Sequence, residues 1–245
     1  MKISVVVPFY NTPLPFFMEC LRALKKLAPY EVILVDDCST EEQVVKLARS
    51  SGFRYLQTPH QSGFDGLPFN LGVKAATGEY ICRVDSDDVL LALPERMETE
   101  VCFGNADRVN TARPLNLEEL LLGPRALFNA TVLKRELCLR YPLPEDANVF
   151  GDMMMALRLL YHKHTFTVYP EINYVYRRSE GSIQTSKPPF HHRMRHIQTV
   201  ARFCQLEQVP PEQAVRFLEI AMLNVRHGSG ALKFLHAVRK SADGE

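Results

Sequence analysis

The sequence predicts an α/β fold: a mostly parallel, Rossmann-like sheet with flanking helices, followed by a C-terminal helical extension. Two observations predict it. Strand and helix signals alternate over the first 95 residues, the mark of βαβ units. The polar clusters of that stretch also fall where the strand signals stop, and open parallel sheets bind ligands outside those carboxyl ends.

Residues 3–8 form a short β-branched run closed by Pro8. Phe17, Leu21 and Leu24 then recur at helical spacing, with Thr12, Pro13 and Pro15 as start signals. Residues 31–35 are a second apolar run, stopped by Asp36-Asp37. Ser39-Thr40-Glu41-Glu42 reads as a capping box for a helix through Val44, Val45 and Leu47. Residues 53–56 are a weaker third strand. Residues 70–76 read as a helix ending at Gly78, a residue suited to a C-cap. Residues 80–84 are a fourth strand, stopped by Asp85-Ser86-Asp87-Asp88. Tyr10-Asn11, Asp36-Asp37 and the Asp85 cluster should therefore share one rim of one sheet.

After Pro94 the alternation fades. Short helices are expected at 116–122 and 152–160, with strands at 165–169 and 172–176 around Pro170. Pro188-Pro189 marks a linker at 186–190. Amphipathic helices follow at about 191–207 and 211–226, and a third after Gly228-Ser229-Gly230.

Composition narrows the function classes. The chain has 245 residues, 46% hydrophobic and 23% charged, which suits a folded globular protein and not a disordered one. The net charge of +1 supplies no global field for nucleic acid, so no nucleic-acid partner is expected. Six scattered cysteines without a C-x-x-C pair fit a reduced, cytoplasmic setting better than disulfides or structural zinc. No signal-peptide pattern opens the chain, and no apolar stretch approaches the roughly 20 residues of a membrane span. Membrane contact, if made, is expected to be peripheral, on the inner face.

Asp85-Ser86-Asp87 places two carboxylates two residues apart at a strand end, and alternate residues of an extended segment point the same way. Converging carboxylates repel unless a cation lies between them. Hard oxygen ligands with open positions suit Mg2+ or Mn2+. The same four residues also suit a solvated turn.

Three segments together resemble the nucleotide-binding half of family-2 inverting glycosyltransferases of GT-A fold. They are Val5 to Asn11, Val32 to Thr40 with its Val-Asp-Asp-x-Ser-Thr turn, and Asn70 to Ile81 running into Val84-Asp85-Ser86-Asp87-Asp88. The resemblance covers residues 1–95, weakens over 96–185 and is absent beyond. It implies a nucleotide-sugar-binding half at 1–95, an acceptor-binding half at 96–185 and a helical extension at 186–245. Pro8, Tyr10, Asn11, Asp36, Asp37, Asn70, Asp85 and Ser86 would bind the nucleotide, with Tyr10 packing on the base and Asp37 accepting its hydrogen bond. An ionised carboxylate is acceptor-only, so Asp37 favours uracil over cytosine and UDP as the carrier, while guanine remains compatible. Asp85 and Asp87 would hold Mn2+ or Mg2+ on the diphosphate. Leu34-Val35-Asp36-Asp37 also resembles the acidic turn of phosphorelay receiver domains, but there the pair follows the first strand.

Inverting transfer needs a base for the acceptor hydroxyl. Gly151-Asp152 before an apolar helix resembles the family's base position, although Asp is equally a preferred N-cap. Tyr174 to Arg178 with Gly181-Ser182 resembles the family's closing segment. Arg177 and Arg178 are candidates for phosphate or acceptor contacts, or for an exposed strand end. Arg83, in a strand expected to be buried, needs a carboxylate partner from Asp36 or the Asp85 cluster, and is a further candidate.

Two departures stand out. The family often carries a basic residue before Asn70, and residues 61–69 contain none. Glu180 falls where many members have a metal-binding histidine, leaving His191 and His192 as the nearest. His191, His192, Arg193, Arg195 and His196 give the C-terminal helices a basic start, and stripes such as Phe217, Ile220, Ala221 and Val225 suit core packing, a homodimer contact or a membrane surface. The expected partners are thus a nucleotide-sugar donor and a glycan or lipid-linked acceptor. A sugar-phosphate nucleotidyltransferase and an inactive scaffold relative are the competing classes. The first usually shows a Gly-rich basic loop after strand one, and Phe9-Tyr10-Asn11-Thr12-Pro13 is not one.

Overall fold

The computed structural model describes residues 1–107, 116–122, 128–145, 149–177 and 189–227, without the side chains of 189–190 and 224–227. Its centre is β1 (Ile3–Phe9), a Val-rich strand buried on both faces, as a central parallel strand must be. β1 lies between β2 (Glu31–Asp36) and β4 (Tyr80–Arg83), parallel to both, and β3 (Arg54–Gln57) extends the sheet beyond β2. On the other side β7 (Val132–Lys134) pairs antiparallel with β4, followed by β6 (Val101–Phe103) and β8 (Phe166–Val168). The order is β3-β2-β1-β4-β7-β6-β8. A separate antiparallel ribbon joins β5 (Val89–Leu90) to β9 (Tyr174–Val175).

The helices of the described residues are α1 (Leu14–Leu27), α2 (Glu42–Ser50), α3 (Gly66–Ala75), α4 (Leu117–Leu122), α5 (Arg135–Arg140), α6 (Gly151–Tyr161), α7 (Pro189–Leu206) and α8 (Pro211–His227). The chain divides into two compact units. One comprises Met1–Arg113, Leu127–Ala147 and Lys163–Arg177 and holds both sheets. The other comprises Pro114–Ala126, Asn148–His162 and Arg178–Glu245 and is helical where described.

In the first unit, Val5, Val7 and Phe9 point to one side of the sheet. There they join Phe17, Leu21 and Leu24 of α1 and Val44 and Ala48 of α2 in one core. Val6 points the other way, against α3, where a Cβ on Gly72 would lie 2.4 Å from its methyl. In the second unit, Tyr161 of α6 stands edge-on to Phe203 of α7 (5.5 Å) and Phe217 of α8 (6.4 Å). The buried Arg158 donates to Glu207 at 2.7 Å.

Several local expectations are corrected. α3 begins at Gly66, four residues before the expected start. Pro68 falls in its first turn, where no intrahelical bond is asked of its nitrogen. The C-cap is Ala76, and Gly78 instead lets the chain approach β1, donating its N–H to Ser4 Oγ at 2.9 Å. The capping box before α2 does not form. Thr40 N and Glu41 N, just ahead of the helix, donate to the Asn11 side-chain oxygen at 2.8 and 3.0 Å, and the N-cap Glu41 makes no side-chain cap bond. His196 does not belong to an exposed basic face, since it is buried and its Nε2 meets Leu121 O at 2.7 Å. The third C-terminal helix lies outside the described residues. All six cysteines are free, and no helix among the described residues is long and apolar enough to cross a membrane.

Candidate active site

β2, β1 and β4 are adjacent and parallel, so their carboxyl ends form one rim, with Phe9 level with Asp36 and Val6 level with Arg83. The three polar clusters lie at this rim. Pro8 is partly exposed at the end of β1. Tyr10 beside it is 41% exposed, with its ring available for stacking. Asn11 adopts a left-handed conformation (φ 45°), and its side chain is committed to Thr40 and Glu41.

The two aspartates after β2 part company. Asp36 is fully buried, accepting Ser39 N at 2.8 Å and the Tyr55 hydroxyl at 2.7 Å. It is a fixture of the turn, and Arg83 is not its partner. Asp37, 4% exposed, accepts Thr58 Oγ1, Ser62 N, Ser62 Oγ and Gly63 N at 3.0–3.2 Å. It holds residues 58–63 across the rim. Asn70 is 4% exposed, and its amide pins residues 143–145 through Leu143 N, Leu143 O and Glu145.

The loop after β4 is the most charged part of the rim. Asp85 accepts Arg83 Nη2 at 2.9 Å and Asn129 Nδ2 at 2.6 Å. Ser86 is buried, its hydroxyl 2.6 Å from that of Thr12. Asp88, 1% exposed, accepts the Tyr174 hydroxyl at 2.8 Å and Arg177 N at 2.7 Å, tying the end of β9 to the acidic loop. The Arg177 guanidinium pairs with Glu19 and lies over the Phe16 ring at 4.9 Å. Arg178 and Glu180 lie outside the described residues.

Burial, and then the charge of Asp85, push the Asp87 carboxyl above its usual range. The same two causes, followed by the charge of Asp87, push Asp88 up to about 7. Cys20 and Tyr174 beneath the loop are raised chiefly by burial, with the aspartates adding to it. Mutual repulsion of this kind is what a divalent cation relieves. Asp87 receives no hydrogen bond from another described residue, and each Asp85 oxygen keeps one further lone pair. The two carboxylates therefore fit Mg2+ or Mn2+ with remaining positions for phosphate or water. No group of three His, Cys, Asp or Glu side chains able to hold a metal occurs among the described residues, and His191 and His192 join no such group.

Asp152 belongs to the helical unit. The N-cap of α6 is Phe150, so Asp152 is not the cap. It is the second helical residue, partly exposed, and its Oδ1 accepts Met153 N at 2.8 Å. Asp65 and Asn129, which complete the surroundings of Asp85, belong to no sequence pattern. Their only signal is spatial.

The chain is similar to known proteins. A curated relative, the poly(ribitol-phosphate) beta-N-acetylglucosaminyltransferase TarS of Staphylococcus aureus (strain MW2), is 27% identical over 248 residues, covering 87% of this chain and 43% of its own. The chain thus spans less than half the length of that relative. The structure of S. aureus TarS 1–349 in complex with UDP-GlcNAc superposes with a TM-score of 0.68 at 21% identity, covering 94% of this chain and 73% of that one. The mannosyltransferase PcManGT from Pyrobaculum calidifontis, in complex with GDP-Man and Mn2+, gives 0.61 at 17% identity, covering all of this chain and 76% of that one. Both share the GT-A fold seen here. The family model described as glycosyl transferase family 2 matches residues 4–164, and on that match, more than half its length, the chain belongs to this family.

Proposed function

We propose that the protein transfers a sugar from a nucleotide-diphosphate donor, carried on UDP, to a hydroxyl of a glycan or lipid-linked acceptor, with inversion. The observation that carries this reading is that exposed Tyr10 and the carboxylates of Asp37, Asp85 and Asp87 follow the carboxyl ends of β1, β2 and β4, adjacent parallel strands of one sheet. The UDP-GlcNAc held by TarS and the Mn2+ and GDP-Man held by PcManGT support it, and the name of TarS makes a polyol-phosphate polymer a reasonable acceptor class.

In this reading Tyr10 stacks on the base, and Asp37 accepts the base N–H. Asp85 and Asp87 hold Mn2+ or Mg2+ against the diphosphate, and Arg83 keeps Asp85 in place. A bound divalent ion supplies stabilisation of the negative charge that develops on the leaving diphosphate. Asp88 keeps the chain at Arg177 docked beside the acidic loop, and Arg177, released from Glu19, is available to a phosphate or an acidic acceptor. Asp152 takes the proton from the attacking hydroxyl, the role its place opening α6 suggests by resemblance.

Calorimetric titration with UDP, with and without Mn2+, tests the donor half. Binding should require the metal, and Asp87→Asn should lose that requirement together with the affinity. UDP binding that ignores Mn2+ would refute it. For the base, Asp152→Asn should lower transfer by about a hundredfold or more while UDP still binds. Equal loss of binding and transfer would remove Asp152 from that role.

A further inference from the structure

Both oxygens of Asp85 are claimed from inside the protein. Arg83 Nη2 donates to Oδ1 at 2.9 Å and Asn129 Nδ2 to Oδ2 at 2.6 Å. The two donors are themselves fixed. Arg83 and Asn129 face each other in a parallel bridge, and Ala130 N donates to Arg83 O at 2.8 Å. Arg83 Nη1 donates to Asp65 at 2.6 Å, and the guanidinium lies 5.9 Å from the centre of the Phe128 ring. Behind Asn129, Gly104 packs so closely that a Cβ there would lie 2.3 Å from the Asn129 carbonyl oxygen. Both residues are over nine-tenths buried.

A guanidinium inside a sheet is costly, and the neighbouring Ile81, Cys82 and Val84 show that apolar residues fill this strand. Its placement has a geometric result. One donor on each oxygen fixes the rotation of the Asp85 carboxylate and leaves one outward lone pair on each. Without them, repulsion from Asp87 would turn the carboxylate away. We infer that Arg83 and Asn129 are positioning residues: they hold Asp85 so that it and Asp87 present their oxygens to one divalent cation bound with a nucleoside diphosphate. This rests on the metal-dependent donor site proposed above.

Charge and position make opposite demands at Arg83. Deleting its charge would strengthen the pull of the acidic loop on a cation, while deleting its hydrogen bond would misplace Asp85. Charge-conserving variants separate the two. Asn129→Ala removes one donor and no charge. Arg83→Lys keeps the charge but loses the planar fork that spans Asp65 and Asp85. Asp65→Asn disturbs Arg83 on the side away from Asp85.

The measurement is the disappearance of the free Mn2+ electron paramagnetic resonance signal on titration with protein and UDP, with melting curves alongside to confirm folding. Partners that orient metal ligands are worth about 10–100-fold in metal affinity, so Asn129→Ala and Arg83→Lys should each weaken Mn2+ uptake by about tenfold or more. Asp65→Asn should stay within about threefold of wild type, as for a partly exposed ion pair. Uptake by both charge-conserving variants equal to wild type overturns the positioning role. So does a loss in Asp65→Asn as large as in Asn129→Ala, which would make the cluster a mere prop of the fold. Wild-type protein that takes up no Mn2+ with UDP present overturns the donor-site reading itself.

Discussion

Asp37 is filled by one loop. A carboxylate offers about four lone-pair directions, and Thr58, Ser62 and Gly63 use them. A base N–H reaches Asp37 only by displacing Ser62 or Gly63, so donor uptake and rearrangement of residues 58–63 are coupled. Asp37→Asn turns an acceptor into a group whose amide faces backbone N–H donors. It should cost the unliganded protein about 1–3 kcal/mol as well as UDP affinity. Weaker UDP binding with an unchanged melting temperature would show that the loop contacts contribute nothing. Tyr10, Asp37, Asp85 and Asp87 were legible in the sequence because each lies next to its own strand end. Asn129 was not: it meets Asp85 across 44 residues of chain, through a bridge to β4 that no local pattern announces. The burial of Asp36, beside an equally acidic neighbour, depends in the same way on Tyr55 arriving from β3.

Elements show where local signals mislead. The Ser39 capping box fails because the Ser39 hydroxyl accepts Asn11 N at 3.0 Å. The Asn11 side-chain oxygen in turn takes Thr40 N and Glu41 N, which ties the turns after β1 and β2 together and leaves α2 to start at Glu42 without a side-chain cap. Gly72 on α3 is another case where packing overrides propensity. Ala is favoured over Gly within a helix by about 1 kcal/mol. A methyl at Gly72, however, would lie 2.4 Å from Val6 and 3.1 Å from Val35, both fully buried and stiff. Overpacking typically costs about 1–3 kcal/mol, so Gly72→Ala should lower the urea midpoint. A raised midpoint would mean that α3 moves off the sheet freely. On α7, burial holds His196 below its ordinary value of 6.5, against the opposing bond to Leu121 O. Its Nδ1 is buried with no partner among the described residues, so a second proton has nowhere to donate. The unfolded chain therefore binds the proton first, and stability present above pH 6.5 is lost as the pH falls below it. His196→Gln should flatten that acid limb of the melting-temperature profile, and an unaltered profile would discount His196.

At the scale of the molecule, the parallel half of the sheet was readable because β1 and β2 are long apolar runs with turn residues at their ends. Beyond β4 in that sheet only β8 was legible, as the strand expected at 165–169; β6 and β7 have three residues each and carry too little periodicity to announce themselves. The donor follows from the readable half and can be tested on the whole chain. A ligand that binds only the folded protein, at about a hundred times its Kd, adds about 2.7 kcal/mol. For a chain of this size that raises the melting temperature by roughly 5–10 °C. UDP with Mn2+ should do so. CDP with Mn2+ should fall well short, because Asp37 can only accept and cytosine N3 offers no hydrogen. GDP, whose ring N–H can meet Asp37, should fall between them, held back by the larger base that Tyr10 must accommodate. Asp37→Asn should narrow the gap between UDP and CDP, since an amide can both donate and accept. Equal shifts for UDP and CDP in the wild type would move base selection away from Asp37 and leave that carboxylate as the anchor of residues 58–63 alone.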